Sequence, residues 1–401
     1  MPSLDPSTRA LLRLSLVPGL GPVLIRRSIE AFGSAEAVLG STQISLRRVK
    51  GIGEVLARQI VAAIPDTDRR ADEELALADQ LGAKMIAAGT REYPPLLAQT
   101  PDAPPLLYVR GEIAPGSLDR YPVAIVGSRS CTIYGREQAE RFAEHLAGSG
   151  LTVVSGGARG IDAAAHKAAL RARGRTIAVL GCGLAECYPP ENKDLFDQIA
   201  AGSGAVVSEL PLRTPPTADN FPARNRIISG LSLGVLVIEA GRKSGALITA
   251  RQAVEEHGRE VFALPARVDS SAAEGSLELI KSGGAQMVTH PTDILEALET
   301  PARHVFNGTH EVRYAKPPEP GALFGGSEAA KAEQAPQPSA RDAALSPSQQ
   351  SILSSLDAPR TLDELAIELK LDAAKLRADI TMLEIRRRVA RRGSKFERVS
   401  P

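Results

Sequence analysis

Between residues 121 and 300, short apolar runs alternate with amphipathic patterns of helical spacing. Val123–Val126, Leu151–Val154, Thr176–Leu180, Ala205–Leu210, Val235–Glu239 and Val261–Leu264 read as strands, with a last strand at Gln286–Thr289. Between them Glu137–Ala147, Asp162–Ala172 and Leu247–Glu256 place their apolar residues on one helical face. A strand that is apolar at nearly every position is covered on both sides, and intervening helices make successive strands parallel. The pattern predicts an α/β domain with a mainly parallel, doubly covered sheet over residues 121–300.

The flanks read differently. Residues 1–65 give short helices broken by glycine, and they contain a repeat, Val17-Pro-Gly-Leu-Gly21 and Val49-Lys-Gly-Ile-Gly53. Each has the form of a helix-hairpin-helix turn, in which glycines let the backbone bend and expose N–H groups. With Arg26, Arg27, Arg47, Arg48 and Lys50 beside them, the turns suit either a DNA phosphate or a helical scaffold for protein contacts. Residues 66–120 read as a connecting region packing onto the core, through Glu92–Leu97 and Pro104–Arg110. Residues 301–346 are rich in Pro, Gly, Ala and Ser, the composition of a flexible linker. Residues 347–401 predict a small winged helix: a first helix near Thr361–Ala366, a second over Ala374–Glu384, and a hairpin over Arg388–Val399.

Composition narrows the function. The 401 residues carry a net charge of +1, so nucleic acid would be met by local patches and not by an overall field. Aromatic residues make up 3%, with no tryptophan, which shifts any strand binding towards phosphate contacts. The three cysteines, Cys131, Cys182 and Cys187, fit a reducing cytoplasm without a disulfide framework and lack metal-ligand spacing. No apolar run approaches the ~20 residues of a membrane span, and the amino terminus lacks a secretory pattern.

The candidate chemistry lies in the turns after the strands, since ligands of parallel sheets bind at the carboxyl edge. Gly127, Ser128 and Arg129 follow the first strand. Ser155, Gly156, Gly157 and Arg159 follow the second. Lys193 starts a helix after the third, Arg224, Asn225 and Arg226 lie in Asn220–Arg226, and Arg242, Lys243 and Ser244 follow Val235–Glu239. Bare N–H groups near helix starts and gathered cations favour phosphate. A dinucleotide is not expected: Gly181-Cys-Gly183 lacks the third glycine, Gly127-Ser-Arg129 lacks the second, and no phosphate-binding loop of the ATPase type is present. A Ser155, Asp162, His166 triad is disfavoured, because Val154-Ser-Gly is not a nucleophile elbow. No cofactor, metal or catalytic residue is assigned.

Val126-Gly-Ser-Arg129, Ser155-Gly-Gly-Ala-Arg-Gly-Ile-Asp162 with His166, Cys187-Tyr-Pro-Pro-Glu-Asn192, Phe221-Pro-Ala-Arg-Asn-Arg-Ile-Ile228 and Glu239-Ala-Gly-Arg-Lys-Ser-Gly-Ala-Leu-Ile-Thr249 closely resemble the bacterial DNA-processing protein A family (DprA/Smf). The resemblance implies an extended Rossmann-like domain that binds single-stranded DNA and dimerises. It also implies loading of a RecA-type recombinase during natural transformation and displacement of single-strand-binding protein. It places Arg129 in a basic DNA groove. The roles of Lys193, Arg224, Arg226 and Lys243 there rest on their turn positions.

Two departures bear on this. Pro190 stands where basic residues are common in relatives. The wing is rich in cations, Arg386, Arg387, Arg388, Arg391, Arg392, Lys395 and Arg398, which favours duplex or junction DNA over a merely solvated face. The rival reading is a nucleoside-monophosphate phosphoribohydrolase of the LOG (lysine-decarboxylase-like) type. That chemistry needs a Gly-Gly-x-Gly-Thr turn with a following glutamate, and Gly241–Arg251 offers neither the glycine pair nor the acid.

Overall fold

A computed structural model describes residues 4–306 and, further on, residues 347–356, 360–361, 364–365, 369, 376, 380, 383, 389–392 and 395–398. The chain divides into two compact units, Met1–Pro317 and Pro318–Pro401. The first holds helices α1 (Pro6–Ser15), α2 (Pro22–Phe32), α3 (Ala35–Leu39), α4 (Gln43–Leu46), α5 (Glu54–Ala63) and α6 (Thr67–Leu81). Then come strands β1 (Ala83–Ala87), β2 (Leu106–Gly111), β3 (Pro122–Val126), β4 (Thr152–Ser155), β5 (Thr176–Val179), β6 (Gly204–Ser208), β7 (Gly234–Val237), β8 (Glu260–Ala263) and β9 (Gln286–Met287). Helix α7 (Pro95–Ala98) lies between β1 and β2, and α8 (Ile133–Gly148), α9 (Ile161–Arg171), α10 (Lys193–Gln198), α11 (Asn220–Gly230), α12 (Gly245–Glu255), α13 (Glu274–Lys281) and α14 (Pro291–Phe306) connect or follow the later strands.

The strands form one nine-stranded sheet in the order β1-β2-β6-β5-β4-β3-β7-β8-β9. From β6 to β9 every pairing is parallel, as the apolar runs predict. Alternate residues serve opposite faces: Val123 and Ile125 pack with α8, α9 and α14, whereas Ala124 and Val126 pack with α11 and α12. Both sets are apolar because both faces are covered.

The region over 66–120 is more than a connection. β2 pairs antiparallel with β6 and with β1, extending the sheet on one side. Leu107 and Val109 join the α11–α12 face, and Leu106 and Tyr108 join the core of the amino-terminal helices. Those helices therefore share one continuous core with β2, β5 and β6, and Arg70 binds the Leu16 carbonyl at 2.7 Å across them. Within the helical part, Gly19 and Gly51 take φ of +77° and +101° in the two repeated turns, conformations that side-chain-bearing residues rarely adopt.

The second unit carries α15 (Pro347–Ser354) and a small antiparallel sheet of β10 (Arg360–Thr361), β12 (Lys395–Arg398) and β11 (Val389–Arg392), in that order. Ile352, Leu365, Leu376, Ile380, Leu383, Val389 and Phe396 are its core, the helix-plus-hairpin content of a winged helix. Of the wing cations, Arg386, Arg387 and Arg388 lie outside the described residues, as does most of the expected linker. Helix α14 runs to Phe306, past the start at 301 expected for that linker. Cys131, Cys182 and Cys187 are free thiols, and among the described residues no helix is long and apolar enough to cross a membrane.

Phe142 is 0% exposed between α8 and the sheet. Phe142→Ala should lower the stability of the first unit by about 3–5 kcal/mol, read by urea unfolding.

Candidate nucleic-acid interface

The carboxyl edge of the parallel strands opens into a cavity of about 800 Å3. The turn after β3 lines it with Gly127, Ser128 and Arg129. The start of α11 adds Phe221, Arg224 and Asn225, and the loop after β7 adds Arg242, Lys243 and Ser244. Four cations and the amino-terminal end of α12 thus converge on one concave surface. Ser244 caps that helix, its Oγ accepting from Ala246 N at 3.3 Å.

The turns interlock by contacts that leave no space for side chains. A Cβ at Gly127 would lie 2.5 Å from Ile161, and one at Gly160 would lie 2.3 Å from the Ser128 carbonyl oxygen. At Gly156 a Cβ would meet the Arg224 guanidinium at 2.3 Å and the Asp162 carboxylate at 2.7 Å. Glu239, buried at the end of β7, holds the first turn from below. Its carboxylate accepts from Thr132 N and Thr132 Oγ1, both at 2.7 Å, and its carbonyl accepts from Ser128 N at 2.7 Å.

The cations fall into two classes. Arg129 stacks over the Phe221 ring at 4.8 Å and makes no ion pair among the described residues. Phe221 in turn lies 5.4 Å from the Tyr188 ring, giving the cavity an aromatic wall. Arg242 pairs with Glu274 at 2.9 Å while staying largely exposed, and Lys243 has no ion-pair partner among the described residues. Arg224, by contrast, is buried and donates to the carbonyl oxygens of Gly156, at 2.6 Å, and Val179. Burial, joined by the like charge of Arg129, outweighs the attraction of Asp162 and pushes the Arg224 pKa down to about 10. The guanidinium is still charged at neutral pH. Burial also raises the Asp162 carboxyl above its ordinary value, against the pull of Arg224.

The sequence-predicted residues separate on this geometry. Gly127, Ser128, Arg129, Arg224, Asn225, Lys243 and Ser244 line the main cavity, and Gly156 and Arg159 line a small recess beside it that Arg129 and Arg224 share. Arg159 there is paired with Glu191. Ser155 and Gly157 lie beneath the surface; Ser155 Oγ donates to the Ile125 carbonyl at 2.6 Å, holding β4 to β3. Lys193 lines neither space and pairs with Asp197 at 2.7 Å. Arg226 is corrected outright. The Asn220–Arg226 stretch is the start of a helix and not an open turn, and Arg226 is buried with Glu209 and with Asp102, at 3.2 Å. Its charge is spent inside the fold. Arg242, expected in the turn after Val235–Glu239, lines the cavity, whereas Tyr188 and Phe221 were not singled out from sequence, although they sit in the Tyr-Pro-Pro and Phe-Pro-Ala-Arg-Asn runs.

His166 is fully buried on α9, its Nδ1 2.7 Å from Thr176 Oγ1, which donates to the Val153 carbonyl. Burial first, and the Arg224 charge second, push its pKa down from 6.5 to about 3. The unfolded chain therefore takes up a proton more readily than the folded one. The contribution of neutral His166 to stability is complete above pH 6.5 and is lost as pH falls towards 3. His166→Gln should flatten that part of the stability–pH curve by up to about 1.4 kcal/mol per pH unit, measured by urea unfolding across the range.

The sequence comparisons agree with this architecture. Residues 84–299 match the DNA recombination-mediator protein A family, residues 11–66 a SAM-like helix-hairpin-helix tandem, and residues 334–394 the DprA winged helix domain. Protein Smf of Synechocystis sp. is 42% identical over 286 residues, covering 71% of this chain and 71% of that protein. The DNA processing protein DprA of Bacillus subtilis is 40% identical over 231 residues, 58% of this chain and 76% of that protein. The X-ray structure of DprA from Streptococcus pneumoniae superposes with a TM-score of 0.59 at 35% identity, over 71% of this chain and 95% of that one. On a family match that covers more than half its length, and on relatives of this identity and coverage, the chain belongs to the DNA recombination-mediator protein A family, the DprA/Smf proteins.

Proposed function

We propose that the chain is a non-enzymatic mediator that binds single-stranded DNA at the carboxyl-edge cavity and loads a RecA-type recombinase onto incoming DNA during natural transformation. The observation that carries this reading is the pairing of Arg129, Lys243 and Arg242 with the aromatic wall of Phe221 and Tyr188 in one concave space. Cations at the rim meet phosphates. A ring inside the cavity can be reached by a base only when that base is not already stacked in a duplex. The description of the family as recombination mediators, and the names of the DNA-processing relatives, support the same direction. In this reading the protein works as a cytoplasmic homodimer, displaces single-strand-binding protein, and touches duplex DNA through its winged helix.

Gel shifts with single-stranded and duplex oligonucleotides should show preference for the single strand, with affinity falling steeply as salt rises. Arg129→Ala and Lys243→Ala should weaken binding to all sequences alike. Each should also reduce the slope of log affinity against log salt by about 0.7, the counterion release of one single-strand phosphate contact. Phe221→Ala should cost about 1–3 kcal/mol of binding with little change in that slope, the signature of a lost stacking contact. Arg226→Ala should act on the fold instead, lowering stability by about 3–5 kcal/mol through the carboxylates it leaves buried. Unchanged binding in both rim variants would place the strand elsewhere. Release of base from nucleoside monophosphates would replace this reading with the enzymatic one.

A further inference from the structure

The two helices that begin at the cavity end on a second cluster, which the cavity does not use. Helix α11 closes at Ser229 and Gly230, α12 closes at Glu255, and the loop between α7 and β2 brings Asp102 against them. Asp102, Glu256 and His257 each offer one ligand atom, all within 4.8 Å of one another. The His257 side chain is 0% exposed, and its Nε2 lies 3.6 Å from Asp102 Oδ1. Both atoms are buried without a hydrogen-bond partner, and the separation is too long for an N–H···O bond.

The neighbours accommodate a tautomer that leaves one imidazole nitrogen free for a metal ion. Ser229 Oγ lies 2.9 Å from His257 Nδ1 and reaches the Arg226 carbonyl oxygen at 3.2 Å. When the hydroxyl gives its one proton to that carbonyl, Nδ1 is the donor to Ser229 Oγ, and the neutral ring then keeps a bare lone pair on Nε2. That lone pair faces a carboxylate oxygen inside the protein, an arrangement that costs free energy unless a proton or a metal ion stands between them. The other Asp102 oxygen, Oδ2, is fixed by Arg226 Nε at 3.2 Å. An imidazole oriented through its far nitrogen and a carboxylate oriented through its far oxygen are the outer supports that metal ligands ordinarily have. Two helix carboxyl ends add their negative poles to the same place.

We propose that Asp102, Glu256 and His257 bind one divalent transition-metal ion of the zinc class, with a further coordination position left for water. Zinc takes nitrogen at about 2.0–2.1 Å and carboxylate oxygen at about 2.0–2.2 Å, so tetrahedral ligands stand roughly 3.4 Å apart. The observed 3.6 Å fits that edge. Magnesium and calcium prefer all-oxygen shells and are poorly served by the buried imidazole. The ion would join the α7–β2 loop to the ends of α11 and α12. At 11 residues each, these helices put it roughly 16 Å from the cavity. Its role is to fix the helices that carry Arg224 and Ser244, not to touch the strand.

The test uses the full chain, stripped with a chelator and titrated with zinc chloride by calorimetry, with melting temperature as a second readout. The wild-type chain should bind one zinc ion that raises its melting temperature. His257→Ala should lose that ion and its stabilising effect. Glu256 is exposed, so Glu256→Gln leaves the packing alone and should weaken zinc by at least about tenfold; Ser229→Ala should weaken it about 10–100-fold by freeing the ring. A Cys182→Ser, Cys187→Ser double variant should bind as the wild type does. The proposal is overturned if the wild-type chain takes up no zinc at micromolar concentration. Wild-type affinity in either His257→Ala or Glu256→Gln overturns it too, as does loss of the ion in the thiol variant.

Discussion

The carboxyl edge of the parallel strands depends on one buried cation. The Arg224 guanidinium lies under the turn that follows β4, donating to backbone carbonyls of two neighbouring strands beside the Asp162 carboxylate. A buried, charged group is tolerable only when its hydrogen bonds and counter-charge are supplied together. That requirement fixes α11, which carries the arginine, against the ends of β4 and β5, and it fixes Gly156, whose missing side chain is the space the guanidinium occupies. Once those are set, Phe221, one turn earlier on α11, is held at the cavity wall, and Arg129 finds the ring it stacks on.

The cations that share this part of the sequence therefore do different work. Arg224 and Arg226 are interior groups, one bonded largely to backbone oxygen and the other to carboxylates. Arg129, Arg242 and Lys243 stand at the opening, where water and a ligand can compete for them. A surface ion pair such as Arg242–Glu274 is weak enough to open for a phosphate, whereas the pairs of Arg226 are not. Charge density along the chain alone does not distinguish these groups.

What could be read from sequence follows from this division. The parallel strands were legible because each is apolar on both faces, and the glycine turns because their spacing after strands is distinctive. β2 was not. Pro104 and Pro105 precede it, and its antiparallel pairing needs none of the strand–helix alternation that announces the others. The start of α11 was read as a turn, yet Pro222 there is compatible with a helix, since proline is tolerated in a first helical turn, where its missing N–H has no partner to lose. The burial of Arg224 was invisible for a plainer reason: its acceptors are the main-chain oxygens of Gly156 and Val179, which every residue type possesses.

The glycine contacts of the cavity have a consequence for how such a site can change over time. Gly127, Gly156 and Gly160 abut backbone, a guanidinium or a packed isoleucine, so any replacement must displace something the sheet depends on. The rim is under no such restriction, because exposed side chains are usually exchanged at little cost to stability. Arg242, Lys243 and their neighbours can then be exchanged one substitution at a time. The floor beneath them stays the same, and descendants with different partners would still share it.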